Sequence, residues 1–321
     1  MLINAVLTTN GGKFASMHGK TLIVITGPTA AGKTAAAIAV ARRLGCHIVC
    51  ADSRQIYRGI PVCTAAPTPA ERAAAPHHLV EFLNLDQPYS ASQYESDVMA
   101  LLPQLWRQSD YAVLCGGSML YVDAVCRGID PMPDISPEVR QAVIADRGRM
   151  GLDGLLEELR RLDPAYFAQV DTRNPRRVMH AVEVCRQTGL PYSTLRTGRA
   201  KPRDFAIVRV ALSLPREQLF DRINHRVLAM VDNGLEQEAR SVMHLRHLNS
   251  LNTVGMKEMF SYLDGTWDLP TAIARIQKNT RVYAKKQLTW LKRDTTLSWC
   301  TPSRALATVA QLLAQKNNSE G

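Results

Sequence analysis

This sequence lacks long apolar runs, paired cysteine spacings and an excess of acid. No apolar stretch approaches the ~18 residues of a membrane span, and the short run at residues 2–7 has no basic residue ahead of it, as a leader would. A cytoplasmic protein without membrane attachment is expected, with a monomer as the working form. Seven cysteines, at 46, 50, 63, 115, 126, 185 and 300, form an odd set without a CxxC pair, which fits neither a disulfide framework nor a zinc ribbon. The closest pair, Cys46 and Cys50 around His47, could ligate a metal, but the segment reads as a strand in which small thiols pack well, and no bound transition metal is expected. Acid is the minority charge: 29 Asp and Glu stand against 39 Lys and Arg, a net +10 that points to polyanionic partners.

What is present suits a folded enzyme-sized chain. With 321 residues, 46% hydrophobic and 21% charged, it can bury a core and divides into about two domains, or one core with an insertion. Residues 1–20 show no periodicity and read as a loose tail. A β-rich run at residues 22–25, a Gly-bounded loop and an Ala-rich helix-forming segment at 34–44 then give strand, loop, helix. Further buried-type strands are expected at 48–51, 111–115 and 207–212, with a helix at 92–108. Such alternation predicts an α/β fold: a P-loop type parallel sheet flanked by helices, with ligands at the carboxyl ends of the strands. After Pro131, Pro133 and Pro137 the chain reads as helix to Gly189, with breaks at Gly148, Gly151 and Asp163-Pro164. The expected organisation is a first core part at 21–132, an α-helical insertion domain at 133–203, a second core part at 204–300 with helices at 216–248 and 269–292, and a C-terminal tail at 301–321.

Gly27-Pro28-Thr29-Ala30-Ala31-Gly32-Lys33-Thr34 fits GxxxxGK[ST] at every position, in the strand-before, helix-after context that the motif needs. Backbone N–H groups of such a loop surround phosphate oxygens, the following helix presents its positive end, Lys33 neutralises charge, and Thr34 is placed to ligate Mg2+. The strand at 48–51 runs into Asp52, which is open to three roles: metal ligand, general base or turn residue.

The residues beyond Asp52 carry more. Asp52-Ser53-Arg54-Gln55-Ile56-Tyr57-Arg58-Gly59, Thr64-Ala65, Pro76-His77-His78-Leu79 and Gly116-Gly117-Ser118-Met119-Leu120-Tyr121 follow in order. They continue in Asn174-Pro175-Arg176-Arg177-Val178, Val254-Gly255-Met256-Lys257-Glu258 and Gln287-Leu288-Thr289-Trp290-Leu291-Lys292. Together with the P-loop this series, spanning about residues 21–295, resembles the bacterial tRNA dimethylallyltransferases, also called tRNA isopentenyltransferases. The resemblance implies transfer of a dimethylallyl group from dimethylallyl diphosphate to N6 of the adenosine immediately 3′ of the anticodon, with diphosphate released and Mg2+ on the donor. It implies Asp52 as the base, Thr29, Thr34 and the rest of residues 27–34 on the diphosphate, and Lys33 and Arg226 on the leaving group, with Arg222 competing for Arg226's part.

By the same resemblance, tRNA contacts fall on Asp52, Ser53, Arg54, Gln55, Ser118, Arg140, Arg176, Arg177, Val178, Met179 and His180. They continue on Asn252, Thr253, Val254, Gly255, Met256 and Lys257, and on Lys285, Lys286, Gln287, Leu288, Thr289, Trp290, Leu291 and Lys292. The residues agree in part on their own account: seven basic and no acidic residues lie between Thr271 and Arg293. Of these, Lys278, Arg281 and Lys285 share one helical face that could follow a phosphate backbone. The interleaved Tyr283 and Trp290 are read as buried rather than base-stacking, and His77 and His78 as capping or packing residues rather than ligands. Cys63 and Ala66 stand where similar proteins commonly carry Gly and Lys, so the charge that such a Lys supplies is missing here, and Ser118 replaces a usual Thr. Two rival readings use fewer of the motifs: a P-loop kinase with ATP as donor, and an RNA-binding protein or RNA-dependent ATPase without prenyl transfer.

Overall fold

The computed structural model describes residues 19–320; apart from residues 19 and 20, the expected N-terminal tail lies outside them. The chain opens with β1 (Thr21–Thr26), the P-loop and α1 (Lys33–Leu44), then β2 (Ile48–Cys50), the short helices α2 (Pro61–Thr64) and α3 (Pro69–Ala74), and β3 (His77–His78). Next come α4 (Ala91–Leu105), β4 (Tyr111–Cys115) and α5 (Met119–Arg127). The insertion holds α6 (Pro137–Leu162), α7 (Pro164–Phe167), α8 (Pro175–Thr188) and α9 (Tyr192–Leu195). The chain then returns through β5 (Ala206–Leu212), α10 (Arg216–Asp232), α11 (Leu235–Val242), α12 (Met256–Leu263) and α13 (Leu269–Leu291), and ends in β6 (Ser298–Cys300) and α14 (Ala305–Glu320).

The six strands form one sheet in the order β3-β2-β4-β1-β5-β6, and every pairing is parallel. Both faces are covered, as a parallel sheet requires. In β1, Leu22 and Val24 face a cluster completed by α4, α5 and α10–α13, whereas Ile23 and Ile25 face α1 and α14. The alanines at 36, 37 and 41 let α1 approach the sheet closely.

Two expectations are corrected here. Of the expected tail at 301–321, the described residues 301–320 are not one: α14 lays Ala305, Val309 and Leu313 against the sheet, a stripe at i, i+4 and i+8 that buries one helical face. In α6 the break falls at Gly151, whose φ of 71° interrupts the helix, and Gly148 does not break it. The insertion carries its own small core, with Val143, Leu155, Leu159, Tyr166, Val178 and Val182 fully or nearly buried. Its two connections to the sheet are tied together: Lys201 N–H donates to the Arg127 carbonyl at 2.7 Å, and Glu95, buried under α5, accepts from Lys201 and Arg203. Among the described residues no helix is long and apolar enough to cross a membrane.

Candidate active site

At the carboxyl ends of β1, β2 and β4 lies a cleft of about 790 Å³, closed on its far side by α10, α13 and the 252–257 segment. The sheet end is built from close backbone approaches. Gly116 sits so near the end of β2 that a Cβ there would stand 2.0 Å from the Ala51 carbonyl oxygen, so only glycine fits. Gly32 turns the chain at φ 88° directly into α1. Because no side chain caps α1, the N–H groups of Gly32, Lys33, Thr34 and Ala35 have no acceptor among the described residues. Unpaired donors at a helix N-terminus suit an anion.

Lys33 Nζ donates to the Pro28 carbonyl at 2.8 Å. Desolvation, and then the Arg226 guanidinium, lower its pKa to about 8, against the opposing pull of Cys115 and Asp52. Arg226 reaches the same space from α10 and has no hydrogen-bond partner among the described residues; burial lowers its pKa, and Asp52 and Glu71 favour its charge. Arg222, one turn earlier, also lines the cleft but is exposed, so Arg226 is the deeper of the two. Thr34 also lines the cleft, and its hydroxyl has no hydrogen-bond partner among the described residues.

Asp52 is held by its own turn: Oδ1 accepts from Arg54 N–H at 2.9 Å and from Gln55 N–H at 3.3 Å. That leaves Oδ2 without a partner among the described residues and at the cleft. The residues after it brace the site. Ser53 N–H donates to Ser118 Oγ at 2.8 Å, and the Gln55 amide donates to the carbonyls of Thr64 and Ala65 and accepts from the Cys50 thiol. Arg54 spans to the carbonyls of Asn249 and Ser250. Glu238 accepts from the N–H groups of Val62 and Cys63, both at 2.7 Å, a contact that nothing in the motif pattern announced.

The expected tRNA-binding set divides. Asn252, Thr253, Val254, Gly255 and Lys257 line the cleft with Asp52, Ser53, Arg54 and Gln55. Arg140, Arg176, Arg177 and His180 are exposed on the insertion, and Lys285, Lys286, Thr289 and Lys292 are exposed along α13. Four members are corrected. The side chains of Val178, Met256 and Leu291 are buried in packed cores, and Gln287, 2% exposed, is occupied by protein. Its amide accepts from Thr29 N–H and donates to the Gly117 carbonyl, both at 2.8 Å, clamping the P-loop to the glycine pair after β4. Met179 and Leu288 pack largely against apolar neighbours, and Trp290 is half-buried with its N–H on Asp123.

Tyr283 also departs from expectation: it is 40% exposed and lines the cleft. The spacing Ile276, Thr280, Tyr283, Gln287 puts all four on the cleft-facing side of α13, a signal present in the sequence. His78 pairs with His47 across 2.9 Å, and His77 with the Ala75 carbonyl, as packing residues would. Cys63 fills the space beside Gly255, while Ala66 does not line the cleft.

Unpaired N–H donors at the end of the sheet share this cleft with a carboxylate oxygen that has no partner among the described residues, and comparison with known proteins assigns the family. The model of the IPP transferase family matches residues 55–294. The chain belongs to the IPP transferase family. A protein named tRNA dimethylallyltransferase 2, from Porphyromonas gingivalis, is 51% identical over 91% of this chain and 98% of its own length. The crystal structure of the tRNA isopentenylpyrophosphate transferase of Bacillus halodurans is similar with a TM-score of 0.68 at 31% identity, covering 94% of this chain and 97% of that one. A eukaryotic dimethylallyltransferase crystallised acting on tRNA shares the fold, with a TM-score of 0.76 at 22% identity over 92% of this chain and 80% of its own.

Proposed function

We propose that this protein transfers the dimethylallyl group of dimethylallyl diphosphate to N6 of the adenosine immediately 3′ of the anticodon in tRNA, releasing diphosphate. The observation that carries the reading is that the P-loop donors and Asp52 Oδ2 open into one cleft with Arg226 beside them. The N–H groups of residues 32–35, Lys33 and Arg226 hold the diphosphate and stabilise the charge that grows as the C1–O bond breaks. The N6 lone pair forms the new bond to C1, the C1–O electron pair leaves with diphosphate, and the N6 proton passes to Asp52. An adenine amine is a weak nucleophile because its lone pair is delocalised, so proton removal as the bond forms is where a carboxylate helps most. Hard oxygen donors suit Mg2+, and the Thr34 hydroxyl would hold it; when bound it supplies charge neutralisation on the diphosphate.

A stacked anticodon-loop adenine cannot reach this depth, so the nucleotide flips into the cleft. The exposed cations of α13 and of the insertion then lie where a phosphate backbone can be followed. One chain carries every group named, so the proposed unit is a monomer, acting in the cytoplasm where tRNA is modified.

The test is to incubate the protein with unmodified tRNA, Mg2+ and radiolabelled dimethylallyl diphosphate, with ATP in a parallel reaction, and to identify the labelled nucleoside after digestion. Label on N6 of the anticodon-loop adenosine is expected. Consumption of ATP with no prenyl transfer would return the P-loop to a kinase.

A further inference from the structure

We propose that Tyr283 is the platform on which the acceptor adenine lies flat while its amine faces Asp52. The inference rests on the prenyl-transfer reading and adds a residue that grips the acceptor. Among the residues lining the cleft Tyr283 is the one aromatic. Its ring is 40% exposed, and among the described residues it makes no ring contact and no hydrogen bond, so its face is uncommitted.

Its position is nonetheless fixed. Ala284, the next residue on α13, is fully buried, and Gln287, one turn on, is clamped to the P-loop and to Gly117. The ring is therefore held relative to the groups that grip the diphosphate. Tyr283 lines the same cleft as Asp52 and Arg54, so the ring shares the space of the carboxylate that must meet the amine. Burial and then Asp52 push the phenol up to about 12, so its hydroxyl stays protonated at neutral pH and adds no charge next to the base. The rest of the cleft offers cations, carboxylates, amides, hydroxyls, thiols and aliphatic side chains; among the described residues that line it, Tyr283 supplies the one aromatic ring on which adenine can stack. Stacking of this kind accepts any base, so it would position the acceptor while selection of the nucleotide is left to the RNA's shape.

The test uses the full chain and an anticodon stem-loop. Tyr283→Leu should lower kcat/KM for the RNA by about 10–100-fold, the range for losing one stacked base. KM for dimethylallyl diphosphate should stay within about 3-fold, and Tyr283→Phe, which keeps the ring, should recover most of the loss. In a second measurement 2-aminopurine replaces the acceptor adenosine; it lacks the 6-amino group and cannot react. Its fluorescence in the bound state should be brighter with Tyr283→Leu than with the wild type or Tyr283→Phe.

Three results would overturn the proposal: an unchanged kcat/KM for RNA in Tyr283→Leu, a loss confined to the KM of the diphosphate, or equal losses in the Leu and Phe variants. The first removes the role, the second makes the ring a wall of the donor half, and the third assigns the effect to the hydroxyl. A wild-type protein that prenylates no RNA at all would instead sink the underlying reading, so the two failures are separable.

Discussion

Around the cleft, side chains are tied to backbone far away in sequence. Gln287 reaches 258 residues back to Thr29 and 170 to Gly117, and Glu238 reaches 176 to Val62. In the insertion the corresponding bonds are short-range: Asp163 caps Tyr166 and holds Ser193, 30 residues on, and Arg186 pairs with Glu158 and with Asp146, 40 residues back. The cleft exists only when distant parts of the chain have closed on one another, whereas the insertion can form and loosen as a local unit. The proposed chemistry, which needs ångström placement, falls in the first region, and the exposed cations proposed to follow a long, variable polyanion fall largely in the second and on the outer face of α13.

The sharpest test of that division is Asp52→Asn. Turnover should fall by ~100-fold or more, the usual scale for a lost general base, with tRNA affinity close to that of the wild type in a filter-binding or polarisation assay. An unaltered rate would take Asp52 out of the mechanism. Next, Leu159→Ala removes a fully buried side chain from the insertion core, at a cost of roughly 2–5 kcal/mol. Amide exchange should quicken across α6 and α8, while calorimetric affinity for inorganic diphosphate holds; a matching loss of diphosphate affinity would show that the two regions are one cooperative unit. Gln287→Leu works in the opposite direction. It strands the Thr29 N–H and the Gly117 carbonyl, costs about 1–3 kcal/mol in thermal stability, and should weaken diphosphate binding while leaving exchange within the insertion untouched.

How far each region could be read from sequence follows from the same contrast. The P-loop and the strand ending at Asp52 were legible because strand, loop and helix signals are local. β3 and β6, two and three residues long, carry no periodicity; they are strands because His77 pairs beside Ile48 and Ser298 beside Val210. The stripe Ala305, Val309, Leu313 was there to be read, but exposed and polar neighbours hid it in an apparent tail. Among the expected RNA contacts, residues 285–292 form one contiguous block of sequence. A contiguous run on a helix turns through every face in two turns, so Gln287 and Leu291 point inward while Lys285 and Lys292 stay exposed. Tyr283 reads as buried for a related reason: an aromatic side chain on the inner face of a helix reads as core unless the helix borders a cleft, as α13 does.

The smallest predicted effect concerns the sheet edge that leads to Asp52. His47 Nδ1 and His78 Nε2 are 2.9 Å apart with the rings stacked, an arrangement in which one ring nitrogen donates and the other accepts. Burial, followed by the neighbouring His47 and His77, holds the pKa of His78 down at about 4. The unfolded chain, with an ordinary histidine pKa near ~6.5, takes up the proton first as the pH falls. Stability from this pair is therefore full above ~6.5 and lost progressively towards pH 4. Allowing for its partial solvent exposure, the change amounts to about 1–2 kcal/mol. His78→Phe should shrink the drop in Tm between pH 7 and pH 5, with His77, whose pKa burial also lowers, supplying a residual slope. An undiminished drop would rule the pair out as its source. Because β3 pairs with β2 and not with any part of the insertion, the acid-induced loosening should appear in amide exchange at residues 47–52 while α6 and α8 keep their protection. Equal loosening in both would break the division between a cleft closed over long range and an insertion closed on itself.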